Sequence, residues 1–252
     1  MTVHFVGAGP GAADLLTLRA VTLLNDTDVC VYAGTYIDEA VLSHCPDGAR
    51  LIDTQDLNLD QIIGHIVDAH TEGLDVVRLC SGDPSIYSAL AEQTRRLDER
   101  GVPWDVTPGV PAYAAAAALL GKELTVPLLT QSVVLTRTQA RSTAMPESES
   151  LANFARTKAT LVLHLAITRI RTLAEELVAE YGAACPVAVV ANASQPSQVV
   201  LKGTLADIAD QVEAAGLKLA AVILVGPALD TAKVAESYLY DANRDRSAKL
   251  RP

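Results

Sequence analysis

Two glycine-bearing turns are the first places in this chain where chemistry could sit. Gly7-Ala8-Gly9-Pro10-Gly11-Ala12-Ala13 follows the apolar run Val3–Gly7, and Ser81-Gly82-Asp83-Pro84-Ser85-Ile86-Tyr87 closes the run Asp75–Cys80. Glycine lets the main chain approach a ligand closely and take turns that a Cβ forbids. In open α/β sheets, ligands lie outside the carboxyl ends of the strands, where both turns would fall. The first turn has the outline of a G-x-G-x-x-A dinucleotide fingerprint, but two features oppose that reading. Pro10 removes an N–H from the middle of the phosphate cradle, and the second strand ends at Ala33-Gly34 with no carboxylate for a ribose. In the second turn, Asp83 is placed either to orient a ligand by hydrogen bonding or to cap a helix whose first residue is Pro84.

The elements that must carry these turns alternate. Val3–Gly7, Asp28–Ala33, Asp75–Cys80 and Trp104–Thr107 read as strands. Leu15, Leu18 and Leu23 recur near the helical period, and Leu59, Ile62, Ile63, Ile66 and Val67 follow it without a fault. A further helix is expected from Ser85 to Arg100. This alternation predicts right-handed crossovers and a mostly parallel sheet. Thr107-Pro108-Gly109-Val110-Pro111 interrupts it and marks a joint, dividing the chain into domains 1–110 and 111–230 with a tail at 231–252. Beyond the joint, an Ala-rich helix (Ala112–Leu120) precedes strands at 133–138, 160–165, 186–191, 198–202 and 220–225, with helices at Ile167–Tyr181 and Leu205–Ala215. Asn192–Ser197 is too short for a crossover helix, so its flanking strands must be antiparallel and the second sheet mixed.

Composition excludes several functions. With 20 Lys+Arg against 30 Asp+Glu the formal net charge is −10, and aromatic residues make up 4% of the chain. A nucleic-acid binder needs the opposite field and often stacking platforms, so no nucleic-acid partner is expected. Cys30, Cys45, Cys80 and Cys185 are scattered with no C-x-x-C pair, which reads as reduced thiols packed as small apolar groups. His4, His44, His65, His70 and His164 show no ligand spacing, so no metal site is expected. The longest apolar run, Leu219–Leu229, is about half the ~20 residues that a membrane span requires, and no membrane partner is expected.

Further motifs accompany the two turns in a fixed order: Asp14-Leu15-Leu16-Thr17 after the first, Thr107-Pro108-Gly109-Val110, Gly203-Thr204-Leu205 and Leu224-Val225-Gly226. On these, from residue 3 to about 228, the chain resembles the tetrapyrrole methylases, the class III S-adenosylmethionine-dependent methyltransferases. The resemblance implies an α/β fold with a parallel-sheet N-terminal domain, a mixed-sheet C-terminal domain and S-adenosylmethionine in the cleft between them. It carries cofactor contacts to Pro10, Ser81, Gly82, Asp83, Ile86, Pro111, Ala112, Leu165 and Ala193. The family usually has small hydroxylated residues where Pro111 and Ala112 stand, and often Met at Leu165, changes that main-chain contacts survive. Leu124–Arg137, with Met145-Pro146-Glu147 and Leu151-Ala152, is similar to the branch that methylates precorrin-4 at carbon 11 in cobalamin biosynthesis. Methylation of another ring carbon, or of a cobalt-precorrin, remains open. The resemblance also implies a homodimer, and the reduced thiols together with the want of a secretory segment lead us to expect a cytoplasmic location.

Methyl transfer from a sulfonium to a ring carbon is an in-line displacement, which asks for alignment and desolvation more than for acid–base groups. No Ser/His/Asp or paired-carboxylate arrangement is present, and no catalytic base is assigned. The substrate implied by the resemblance carries several carboxylates. Between Leu124 and Met145 there is no Asp or Glu, and the charges are Arg137 and Arg141 alone. Guanidinium forks capture carboxylates bidentately, so Arg137 and Arg141, with Thr130, Gln131 and Thr136, are the candidate substrate contacts. A nicotinamide-dependent oxidoreductase and a catalytically silent tetrapyrrole carrier are the rival readings.

Overall fold

The computed structural model describes residues 1–138, 144–230, 237–238 and 243–244. Arg141 and most of the expected tail lie outside these residues. The chain divides into two compact units, 1–119 with 192–198, and 120–191 with 199–252. The joint expected after residue 110 falls inside the first unit, which continues through most of the next helix.

The first unit is built on strands β1 (Val3–Gly7), β2 (Val29–Tyr32), β3 (Arg50–Asp53), β4 (Val76–Cys80) and β5 (Trp104–Thr107), all parallel in the order β3-β2-β4-β1-β5. Its helices are α1 (Leu18–Asn25), α2 (Glu39–Leu42), α3 (Leu59–Thr71), α4 (Leu90–Asp98) and α5 (Ala112–Leu120). β1 and β4 are central and buried on both faces, as expected where helices cover both sides of a parallel sheet. Val3, Phe5, Val29 and Val31 point to one side and pack with Ile63, Ile66 and Leu97, whereas Val6, Cys30, Val77 and Leu79 point to the other with Ala20 and Leu24. Helix α3 starts at a capping box in which Asn58 and Gln61 satisfy each other's main-chain N–H. Truncating the fully buried Ile66 to Ala would cost ~2–5 kcal/mol.

Three sequence expectations change here. The stretch carrying Leu15, Leu18 and Leu23 becomes a short 3-10 turn, Ala13–Leu15, followed by α1, which buries Ala20 and Leu24 and leaves Leu18 89% exposed. The helix expected from Ser85 begins at Leu90, because Tyr87 and Ala89 take left-handed backbone (φ 54° and 57°) and interrupt it. Asp83 is therefore not a helix cap. Strand β3 was not expected, since it is an edge strand whose residues are mostly exposed and show no apolar alternation.

The second unit carries β6 (Val133–Arg137), β7 (Thr160–His164), β8 (Pro186–Ala191), β9 (Val199–Thr204) and β10 (Ala221–Val225) in the order β6-β7-β10-β8-β9. β6 and β7 are parallel, and β10 runs antiparallel to β7 and β8. The expected hairpin is β8–β9, antiparallel with Ala191 opposite Val199. Helices α6 (Leu151–Ala155), α7 (Ile170–Tyr181) and α8 (Ile208–Ala214) are present, and Leu173, Leu177, Ile208 and Val212 pack on Leu161, Leu163, Val189 and Ile223. Among the described residues no helix is long and apolar enough to cross a membrane.

Candidate functional site

The strand order puts the carboxyl ends of β4, β1 and β5 side by side, with Gly7 in register with Cys80 and Val6 with Thr107. The loops leaving these ends are tied to one another by main chain. The Gly9 N–H donates to the Gly82 carbonyl at 3.1 Å and the Gly82 N–H to the Gly9 carbonyl at 2.8 Å, next to a 2.8 Å bond from the Ala8 N–H to the Cys80 carbonyl. A Cβ on Gly7 would lie 2.5 Å from the Gly109 Cα and 2.8 Å from the Gly82 oxygen. The three strand ends meet backbone to backbone, and only glycine permits that approach.

Asp83 fixes the third loop to the second. Its Oδ2 accepts the Gly109 N–H at 2.8 Å, and its Oδ1 accepts the Ser85 N–H at 2.8 Å and the Ser85 hydroxyl. Partial burial acts to raise this carboxyl, but the bonds from the Ser85 hydroxyl, the Gly109 N–H and the Ser85 N–H outweigh it and hold it below its ordinary value. Both oxygens are thus occupied in an ionised group, which suits a structural anchor and a negative charge at the site rather than a proton acceptor.

A fourth loop, 192–198, closes the first turn. The Ala12 N–H donates to Ser194 Oγ at 3.1 Å, and a Cβ on Gly11 would meet the Gln195 side chain, with Nε2 at 2.7 Å. Ala193 sits here, 5% exposed, between Asn192 and Ser194, both in left-handed backbone. Pro111 and Ala112 face Gly82, whose added Cβ would have the Ala112 nitrogen and Pro111 Cα as its nearest neighbours at 3.6 Å. Pro10, Ser81, Gly82, Asp83, Ile86, Pro111, Ala112 and Ala193 are therefore gathered in the loops of one unit. Gly109, Ser194 and Gln195 belong with them. Thr107-Pro108-Gly109 was legible as a joint, but nothing local to Ser194 or Gln195 marks their partnership with a loop about 180 residues away.

The chemistry of this donor set discriminates between ligands. Across residues 7–13, 81–89, 107–112 and 192–198 the one charged side chain is Asp83. The N–H groups of Ala8, Gly9 and Ala12 are spent on protein acceptors and Pro10 has none, which leaves the turn few amides for the cradle that a pyrophosphate requires. A cationic ligand is matched by one carboxylate and by loops without a cation. The residues present therefore fit a sulfonium such as S-adenosylmethionine, and they do not fit a dinucleotide.

In the second unit, Leu165 follows β7 with φ 53° and is 61% exposed, so a bare apolar side chain is held out on strained backbone. Arg137 ends β6 opposite His164 in the parallel register, which puts Arg137 beside the strand end that carries Leu165. Burial holds the His164 imidazole below its usual value. The other candidate substrate contacts are arranged differently. Thr130 and Thr136 are 8% and 3% exposed, and their hydroxyls donate to the Ser132 and Arg137 carbonyls. Successive residues on a strand face opposite ways, so Thr136 lies on the buried side of β6 and Arg137 on the other. Gln131 is exposed and donates to the Thr130 carbonyl. Among the described residues no group of His, Cys, Asp or Glu could hold a metal ion.

Comparison with known proteins fits this geometry. The family described as Tetrapyrrole (Corrin/Porphyrin) Methylases matches residues 2–209. The precorrin-4 C(11)-methyltransferase of Rhodococcus erythropolis is 55% identical over 247 residues, 98% of this chain and 99% of that protein. Among solved structures, a cobalt precorrin-4 methyltransferase of cobalamin biosynthesis is similar with a TM-score of 0.88 and 36% identity, over 91% of this chain and 96% of its own. Uroporphyrin-III C-methyltransferase from Thermus thermophilus, complexed with S-adenosylhomocysteine, gives a TM-score of 0.77 at 27% identity over 92% of this chain and 94% of its own. With the family matching most of the chain and a relative aligned almost end to end, the chain belongs to the tetrapyrrole methylase family.

Proposed function

We propose that this protein is a C-methyltransferase that uses S-adenosylmethionine to methylate carbon 11 of precorrin-4, giving precorrin-5 in cobalamin biosynthesis. The observation that carries the donor is the convergence of four loops whose sole charge is the Asp83 carboxylate. The precorrin-4 assignment is supported by the 55% identity with the Rhodococcus enzyme.

When bound, S-adenosylmethionine supplies an electrophilic methyl group on a positively charged sulfur. The chain's part is then to orient and to exclude water. The backbone contacts among Gly7, Gly9, Gly82 and Gly109 fix loop positions without side-chain freedom, which lowers the entropic cost of alignment. Asp83 contributes a negative charge on the donor side, and its bonds to the Ser85 and Gly109 N–H groups and the Ser85 hydroxyl make it an orienting group. Pro10, Ser81, Ile86, Pro111, Ala112 and Ala193 are proposed as the remaining walls of the donor site, and Leu165 is proposed as a further donor contact. Arg137, with Gln131 and Arg141, is proposed to meet the carboxylates of the tetrapyrrole. Thr130 and Thr136 support the chain around them.

The similarity to a cobalt precorrin-4 methyltransferase favours a second reading in which the ring already carries cobalt. The metal would then be part of the substrate. A homodimer is part of the proposal and rests on the family resemblance, and a cytoplasmic location is part of it and rests on the four free cysteines. Thermal unfolding with separate additions of S-adenosylhomocysteine and NADH tests the donor. At 100 times its dissociation constant a ligand adds ~2.7 kcal/mol, so a shift with the first alone is expected, and a shift with NADH alone would support the oxidoreductase.

A further inference from the structure

The central strand β4 carries an arginine in a setting that ordinarily holds apolar residues. Arg78 is 9% exposed, flanked by Val77 and Leu79, and no ion pair among the described residues includes it. A buried guanidinium with no carboxylate is costly unless hydrogen bonds replace its water. Its Nη1 donates to the Val31 and Leu79 carbonyls, each at 3.3 Å, and its Nε donates to Gln93 Oε1 at 3.1 Å.

Gln93, on α4, is 1% exposed, and its amide has only one workable orientation. Arginine has no acceptor, so the amide oxygen must face Arg78 and the amide nitrogen must face away. That nitrogen donates to the Ser88 carbonyl at 3.2 Å and to the Ala89 carbonyl at 3.1 Å. These carbonyls end the segment in which Tyr87 and Ala89 occupy left-handed backbone, a conformation that is costly for non-glycine residues and persists only where its surroundings enforce it. Ser88 Oγ also donates to the Pro84 carbonyl, closing the segment on itself. The strand that delivers Ser81, Gly82 and Asp83 thus also holds the far end of the same loop through Arg78.

We propose that Arg78 and Gln93 are positioning residues for the methyl donor: the guanidinium fixes the Gln93 amide, and the amide holds loop 83–89 in the shape that presents Asp83 and Ile86. This rests on the reading of that loop as part of the donor site. Neither residue touches the donor. The pair acts by keeping an otherwise unfavourable backbone in place before binding.

The test uses the full chain and three measurements: thermal unfolding, amide hydrogen exchange across 84–90, and S-adenosylhomocysteine affinity by calorimetry, with donor KM and kcat as a fourth where turnover is available. The double substitution Arg78→Leu/Gln93→Leu removes both polar groups together and orphans neither, so the fold should be kept. The expected result is a near wild-type unfolding temperature, faster exchange at 84–90, at least tenfold weaker affinity, and a rise in donor KM that exceeds the fall in kcat. Gln93→Glu, which keeps the acceptor for Arg78 but turns carboxylate oxygen toward two carbonyls, should give the same loss and decides the matter if the double variant does not fold. Wild-type affinity and wild-type exchange in either folded variant would overturn the proposal. If the wild-type protein itself fails to bind S-adenosylhomocysteine, the donor reading fails instead, and exchange at 84–90 still decides whether the pair holds the loop.

Discussion

The Asp83 carboxylate accepts the Gly109 N–H at 2.8 Å, linking the loop after β4 to the loop after β5 across 26 residues of sequence. A charged acceptor of this kind contributes ~1.5–3 kcal/mol. Asp83→Asn should lower stability by an amount in that range at neutral pH and weaken S-adenosylhomocysteine binding about tenfold. The folded carboxyl lies below its ordinary value. Its contribution is therefore complete above the unfolded pKa of about 3.9 and is lost as pH falls through the folded value. Urea unfolding of both proteins should show the difference at pH 7 and its disappearance in strong acid.

Gly109 and Gly64 should respond in opposite directions to alanine. A Cβ on Gly109 would lie 2.8 Å from the Gly7 Cα and closer still to the Gly82 carbonyl oxygen, whereas one on Gly64 in α3 meets nothing within 4 Å. Gly109→Ala should cost ~3 kcal/mol, at the upper end of overpacking, and reduce donor affinity with it. Gly64→Ala should stabilise by ~0.5–1 kcal/mol through helix propensity. Chemical denaturation of the two variants checks both signs.

Arg137→Ala should raise the KM for the tetrapyrrole at least tenfold while leaving S-adenosylhomocysteine affinity within twofold of wild type. Arg137→Lys should recover little, because an ammonium lacks the bidentate fork. Equal losses for both ligands would remove Arg137 from the substrate side.

His164 gives a second pH dependence on the acid side of neutrality. Burial lowers its pKa, so between the folded value and the unfolded ~6.5 the unfolded chain binds more protons than the folded one. Stability should fall as pH drops below about 6.5, and His164→Gln should flatten that slope in thermal unfolding between pH 7 and 5.

The sequence made the central strands readable because β1, β2 and β4 are dominated by Val, Phe, Leu and Cys, interrupted only by His4 and Arg78, and Ile62, Ile63 and Ile66 fit one helical face. Edge strand β3 was invisible because an exposed strand needs no pattern. The start of α4 differs from the sequence expectation because Asp83-Pro84 has the local form of a helix start, whereas the left-handed backbone at Tyr87 and Ala89 is held by Gln93 and its partners rather than by those residue types. The Pro-Gly interruption has the composition of a boundary, whereas the chain packs with the first unit through most of α5 and returns to it at 192–198. At the site, the glycines and Asp83 were legible as motif residues. What Asp83 does was not, since Gly109 and Ser85 become its donors only once three strand ends are aligned. Thr130 and Thr136 looked like polar lining until their burial showed hydroxyls bound to main-chain oxygens.

The most direct test of the account supplies the purified protein with precorrin-4 and S-adenosylmethionine labelled with carbon-13 in its methyl group, and locates the label by NMR. One labelled methyl group is expected, attached to carbon 11, with S-adenosylhomocysteine formed in equal amount. Label at another ring carbon, or no transfer to precorrin-4 or its cobalt form by protein that binds both ligands, would contradict it.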